Sequence, residues 1–152
     1  MSRQKLFDFQ DFLNYHGLWK FYDFLDTRGV NLIRRWLDSL PDKASAKIDA
    51  RIVFMRTFPT DRPWPEQYVS AIKGWPKIVE LRIGSAGNQY RPLGFYGPGQ
   101  GEFTIVHGAI EKGKLPNRVL RVANDNRDIV LADRNRIREH EFKASTTTGL
   151  SK

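Results

Sequence analysis

The chain has 152 residues, 40% hydrophobic and 12% aromatic, which suits a single domain with a modest core. Its 25 Lys and Arg against 17 Asp and Glu leave a net charge of +8, which favours a polyanionic partner, nucleic acid first and an acidic protein second. The lack of cysteine excludes disulfide scaffolds, zinc–thiolate sites and thiol nucleophiles. No apolar run approaches the ~20 residues of a membrane span, and no signal-peptide core is visible, so a soluble cytoplasmic protein is expected.

Residues 1–18 read as an N-terminal extension, in which Leu6, Phe9 and Leu13 recur at helical spacing and Gly17 ends a short amphipathic helix. The domain is expected over residues 19–142, beginning with a strand at 19–25, Trp-Lys-Phe-Tyr-Asp-Phe-Leu. Asn31 is the expected cap of a first helix over residues 31–40, with Ile33, Trp36, Leu37 and Leu40 inward. Pro41 stops it, and Asp42 is the expected cap of a second helix reaching about residue 58, with Ile48, Ile52 and Met55 on its buried stripe. The short link makes the two an antiparallel hairpin. Residues 59–76 read as a Pro- and Trp-rich connector, with a helical turn or two around Tyr68, Val69 and Ile72 and with Trp64 and Trp75 as packing anchors ahead of ligand platforms.

Residues 78–114 hold three strand-length apolar runs separated by Gly84-Ser85-Ala86-Gly87-Asn88 and Gly97-Pro98-Gly99-Gln100-Gly101. Such turns predict an antiparallel meander. Val79, Leu81 and Ile83 are expected on one face and Glu80 and Arg82 on the other, with Tyr90 and Tyr96 pointing away from the core. Pro92 removes a ladder donor, which suggests an edge or a bulge. Asn117 is the expected cap of a last helix, weakened at Asn124-Asp125-Asn126, and residues 143–152 are expected to be a disordered tail. The fold class is therefore α+β: an N-terminal strand and helical hairpin on one face of an antiparallel sheet, its other face open, then a C-terminal helix.

No phosphate loop, dinucleotide fingerprint or metal-ligand motif is present, so no cofactor and no metal is expected, and His16, His107 and His140 are scattered. The open face would carry Arg82, Arg91, Tyr96, His107, Lys112 and Lys114. Cleavage of RNA by its own 2′-hydroxyl needs only a base, an acid and cations to stabilise the charge growing on phosphate. Arginine suits phosphate through its bidentate fork, histidine transfers protons near neutral pH, and aromatics stack on single-stranded bases. Each residue also has a plainer reading: Arg82 as a surface partner of Glu80, His107 as a satisfied strand histidine, Tyr96 as a packing residue. On composition alone a binding domain ranks ahead of a nuclease.

The runs Trp36-Leu37-Asp38-Ser39-Leu40-Pro41-Asp42-Lys43-Ala44, Ile72-Lys73-Gly74-Trp75-Pro76, Val79-Glu80-Leu81-Arg82, Tyr90-Arg91 and Val106-His107-Gly108, with Glu111-Lys112, resemble the RelE/ParE toxin superfamily over residues 22–126. Within it the chain is most similar to the HigB-like, phage-associated branch. The resemblance implies a RelE-like fold and the toxin of a type II toxin–antitoxin pair. It further implies a ribosome-dependent, metal-free messenger RNA endoribonuclease, silenced by a cognate antitoxin that often bears a helix-turn-helix. By the same resemblance Arg91 contacts the scissile phosphate, Arg82 and Lys112 stabilise its charge, and His107 is the proton-transfer candidate. Tyr96, Lys114, Arg118 and Arg121 are the candidate RNA-binding residues. The chain departs from RelE in having Ile78 and Glu80 where that toxin has two lysines, in lacking a matching tyrosine on the last helix, and in carrying Glu111 within a usually basic run. Two rivals stay open: a gyrase-targeting toxin of the ParE type, and a non-catalytic prophage nucleic-acid-binding or regulatory module.

Overall fold

The computed structural model describes residues 18–143. The expected N-terminal helix and the expected tail beyond Lys143 lie outside the described residues. Strand β1 (Lys20–Phe24) is followed by α1 (Leu32–Asp38) and α2 (Asp42–Met55). Four strands come next, β2 (Ser70–Ile72), β3 (Trp75–Glu80), β4 (Ile83–Ser85) and β5 (Asn88–Tyr96). Strand β6 (Glu102–Ile110), α3 (Asn117–Ala132), a 3₁₀ turn (Arg134–Arg136) and β7 (Ile137–Glu139) complete the chain.

The strands form one α+β sheet in the order β2-β3-β5-β6-β1-β7, with β4 also paired to β5. The sheet is mixed rather than purely antiparallel, because β1 runs parallel to β6, with Phe21 opposite Phe103 and Asp23 opposite Ile105. Nothing local signals that pairing, since its partners lie some eighty residues apart.

Helices cover both faces, which corrects the expectation of a single packed face. Helices α1 and α2 contact β1, β6 and β4, whereas α3 contacts β3, β5 and β6. The interior of β5 and most of β6 are accordingly buried on both sides. The α1–α2 layer holds Ile48, Ile52 and Met55 against Leu81 and Ile83, together with the rings of Trp19, Phe21, Trp64 and Phe103. The α3 layer holds Val119, Leu120, Ala123 and Val130. Each fully buried large side chain contributes about 1.5–3 kcal/mol.

Asn31 caps α1 as its sequence predicts, its Oδ1 accepting from the N–H groups of Ile33 and Arg34 at 3.0 and 2.9 Å. The other two expected caps are displaced by one residue. Pro41 and Pro116 occupy the N-cap positions, so Asp42 and Asn117 are first helical residues and make no capping bond. Proline suits such a junction because its fixed φ leads the chain in and it spends no helical donor. Helix α2 ends at Met55, short of residue 58, and α3 runs unbroken through Asn124-Asp125-Asn126. Asn126 there donates from Nδ2 to the carbonyl of Val106 at 2.9 Å. The expected helical turn is present as a single turn, in which Tyr68 and Val69 donate to the carbonyl of Pro65 at 3.0 and 3.4 Å, but Ile72 belongs instead to the β2–β3 hairpin, which reverses at Lys73-Gly74 with Gly74 at φ +86°.

The first strand of the predicted meander is broken. Glu80 pairs with Leu93 and Ile83 with Tyr90, while Leu81 donates its N–H to the carbonyl of Pro92 at 3.0 Å. Pro92 therefore lies in a central strand rather than at an edge, close to the bulge-like register shift against β6 between Leu93 and Gly94, and on its other side the neighbouring strand yields opposite its missing donor. The break resets the in–out alternation, so Ile78 and Glu80 are buried before it and Leu81 and Ile83 after it. Tyr90, opposite Ile83, is buried instead of turned outward.

A polar network fastens the helical layer to β1. His140 bonds through Nδ1 to Asp23 at 2.7 Å and through Nε2 to Asp49 at 2.9 Å, and Asn31 donates to Asp23 at 2.9 Å. Burial opposes charge on His140, but its hydrogen bonds to the two carboxylates and their charges outweigh it, and its pKa is pushed up to about 9. No helix among the described residues is long and apolar enough to cross a membrane.

Candidate active site

A cleft of about 710 Å³ opens where the β2–β3 hairpin, the β3–β4 break and the loop from β6 to α3 converge. Its floor is Glu80, 2% exposed, because β3 still faces α3 at that residue. A buried carboxylate needs partners. Arg91 supplies one, donating from Nε to Oε1 at 2.5 Å, and Arg82 supplies the other, donating from Nε to Oε2 at 3.0 Å. One carboxylate thus fixes two guanidiniums, one from the break between β3 and β4 and one from β5.

The two arginines are held differently. Arg91 is buried, with 6% of its side chain exposed, and its Nη1 also donates to the carbonyls of Glu111 and Gly113. It thereby pins the loop that carries Lys112 and Lys114, whose turn at Gly113 takes φ +78°. Arg82 has 57% of its side chain exposed, because the strand break turns it outward. Lys73, at the tip of the β2–β3 hairpin, completes the basic lining. The cleft gathers five cations against two carboxylates, Glu80 and Glu111.

Four of the sequence-predicted site residues, Arg82, Arg91, Lys112 and Lys114, line this cleft. His107 does not. It lines a separate cavity of about 330 Å³ beside Trp36, Val106, Val122 and Asn126. Desolvation lowers its pKa below the ordinary histidine value, so it is neutral at pH 7. Tyr96 sits away from the cleft as well, its hydroxyl accepting from the N–H of Trp64 at 3.1 Å and its ring lying 5.5 Å from that of Phe103. Arg118 and Arg121 are exposed on α3 and do not line the cleft.

The expected open face is therefore not a flat sheet surface but a notch beside α3. The sequence singles out neither Glu80 as a shared counter-ion nor Lys73 and Gln89 as lining, and it favours Trp75 as a packing anchor over a ligand platform. A carboxylate two residues before an arginine, with a second arginine across a hairpin, was the available signal. The strand break that brings them together was not visible.

Phosphate oxygens placed over the cleft would meet a preset guanidinium pair with flexible lysines around it, an arrangement suited to binding and polarising a phosphodiester. Among the described residues no group of His, Cys, Asp and Glu is arranged to hold a metal ion.

No curated protein and no solved structure matches the chain. The model of the family described as phage derived protein Gp49-like (DUF891) matches residues 35–135, about two thirds of the chain, and this span contains every residue that lines the cleft. The chain is thus a member of the phage-derived Gp49-like family.

Proposed function

We propose that the protein is a RelE-like toxin of the HigB-like kind, a metal-free endoribonuclease that cuts messenger RNA on the ribosome and is held in check by a cognate antitoxin. The observation that carries this reading is the convergence of Arg82, Arg91, Lys112, Lys114 and Lys73 on one cleft of a strongly basic chain. In this reading Arg82 and the lysines engage the scissile phosphate and its neighbours, while Arg91 anchors the floor and presents its remaining guanidinium edge. The charge that grows on the phosphate as the 2′-hydroxyl attacks is met by groups already in place.

His107 lies outside the cleft, so the proton from the attacking hydroxyl goes to a cleft residue. Glu80 is committed to two guanidiniums, whereas the carboxylate of Glu111 makes no ion pair among the described residues. We assign Glu111 as the proton acceptor and a cleft lysine as the donor to the leaving 5′-oxygen. An acidic or amphipathic segment of the antitoxin would silence the protein by filling this cleft.

Induced expression in cells, with messages mapped by their new 5′ ends, tests the reading. Growth arrest with cuts inside translated codons is expected, reduced at least tenfold by Glu111→Gln and by Arg82→Ala. Intact messages with arrested growth and impaired supercoiling would point instead to a gyrase-directed toxin. The displacement of His107 favours one further reading, a module that binds RNA through the cleft without cutting it. Retarded RNA without product marks that case.

A further inference from the structure

Helix α2 buries one stripe, at Ile48, Ile52 and Met55, and carries a second apolar surface on its outer side. There Phe54, Phe58 and Tyr68 meet edge to face, with ring centroids 5.1, 5.4 and 5.3 Å apart. Phe54 and its neighbour Val53 are about half exposed, and the Arg51 guanidinium lies 5.8 Å from the Tyr68 ring. Single exposed apolar side chains are ordinary, but a contiguous patch of rings marks a surface that something covers.

The chain enters the domain beside this patch. Trp19 donates its N–H to the carbonyl of Arg56 at 3.1 Å and its indole N–H to that of Pro59 at 2.9 Å. Arg56 stands two residues from both Phe54 and Phe58. Ahead of that entry, Leu6, Phe9, Phe12 and Leu13 fall on one side of a helical projection, with Asp8 and Asp11 on the opposite side. Residues 14–18 separate this stripe from Trp19 and could span up to ~18 Å, and residues 6–13 as a helix would cover about 12 Å. The stripe therefore reaches the patch with chain to spare.

We propose that residues 6–13 fold back as a short helix over the Phe54–Phe58–Tyr68 patch, with the apolar stripe against the rings and Asp8 and Asp11 in solvent. This contact is independent of what the cleft binds. The tether favours this segment over a separate partner, because a short linker holds it at an effective concentration in the millimolar range and a shallow apolar contact then suffices. Tyr68 lies two residues before β2, so the cover also rests on the base of the hairpin that brings Lys73 to the cleft.

A helix this short is not stable alone in water, so slow amide exchange over residues 6–13 reports docking. Hydrogen exchange on the full chain is expected to be about tenfold or more slower there than in an unstructured peptide, and unchanged on dilution. Phe54→Ser on the domain and Phe9→Ser on the segment should each release these amides, while β5 and β6 keep their protection. Exchange at unstructured rates in the parent would overturn the proposal. So would protection that survives Phe54→Ser, which would place the segment on another surface. Protection lost on dilution would overturn it in favour of a second copy covering the patch.

Discussion

Arg91 and Arg82 share one carboxylate, but their replacement should have different consequences. Arg91 is buried against Glu80, and cutting it to alanine leaves a carboxylate uncompensated in the interior. That substitution should cost about 3–5 kcal/mol of stability. Loss of activity in Arg91→Ala would then report unfolding as readily as chemistry. Arg82 keeps more than half of its side chain in solvent, so Arg82→Ala should stay within about 1 kcal/mol of the parent. Urea unfolding of the two variants checks the contrast; equal stabilities would mean that the Glu80–Arg91 pair does not anchor the floor. His140 supplies a pH-dependent counterpart. Its folded pKa is raised above the ordinary value, so its stabilisation is complete below about pH 6.5 and is lost as pH rises through about 9. The full span amounts to about 3 kcal/mol. Unfolding free energies at pH 6.5 and 9.5 should differ by most of that amount in the parent and much less in His140→Gln.

At the scale of elements, what could be read from sequence followed local chemistry. Asn31 ahead of an apolar stripe fixed the start of α1, and the glycine-rich turns marked both ends of β5. The broken strand escaped because its cause lies across the sheet, in Pro92; the reset leaves Leu81, Arg82 and Ile83 as assigned but puts Ile78 and Glu80 inward in place of Val79. The partners Arg82 and Arg91 were named from the sequence, but Glu80 was placed on an exposed face, so the buried clamp was missed. Strands β2 and β7 are three residues each and owe their pairing to neighbours rather than to pattern. The approach of α1 to β6 depends on Gly108, which leaves room for the ring of Trp36. Gly108→Ala should therefore destabilise by about 1–3 kcal/mol. A Trp36→Leu background should recover part of that loss, because the two sites couple through one contact. Additive losses in the double variant would contradict the contact.

Over the whole molecule, the fold places its charge where the sheet is least covered. The α1–α2 layer and α3 bury the central strands from both sides, and the cleft opens beside α3 at the β2–β3 edge. The net charge of +8 draws polyanions toward the chain, and the clamp on Glu80 presets the guanidiniums before any ligand arrives. The RelE-like reading depends on that cleft meeting RNA phosphates directly. Binding of single-stranded RNA measured across salt concentration tests this most directly. Four phosphate contacts give a slope of log affinity against log salt of about −3. The slope should fall toward about −2 in Arg82→Ala, with Arg118→Ala on α3 keeping the parent value. An unchanged slope in Arg82→Ala, or a reduced slope only in Arg118→Ala, would contradict the assignment of the cleft as the RNA site.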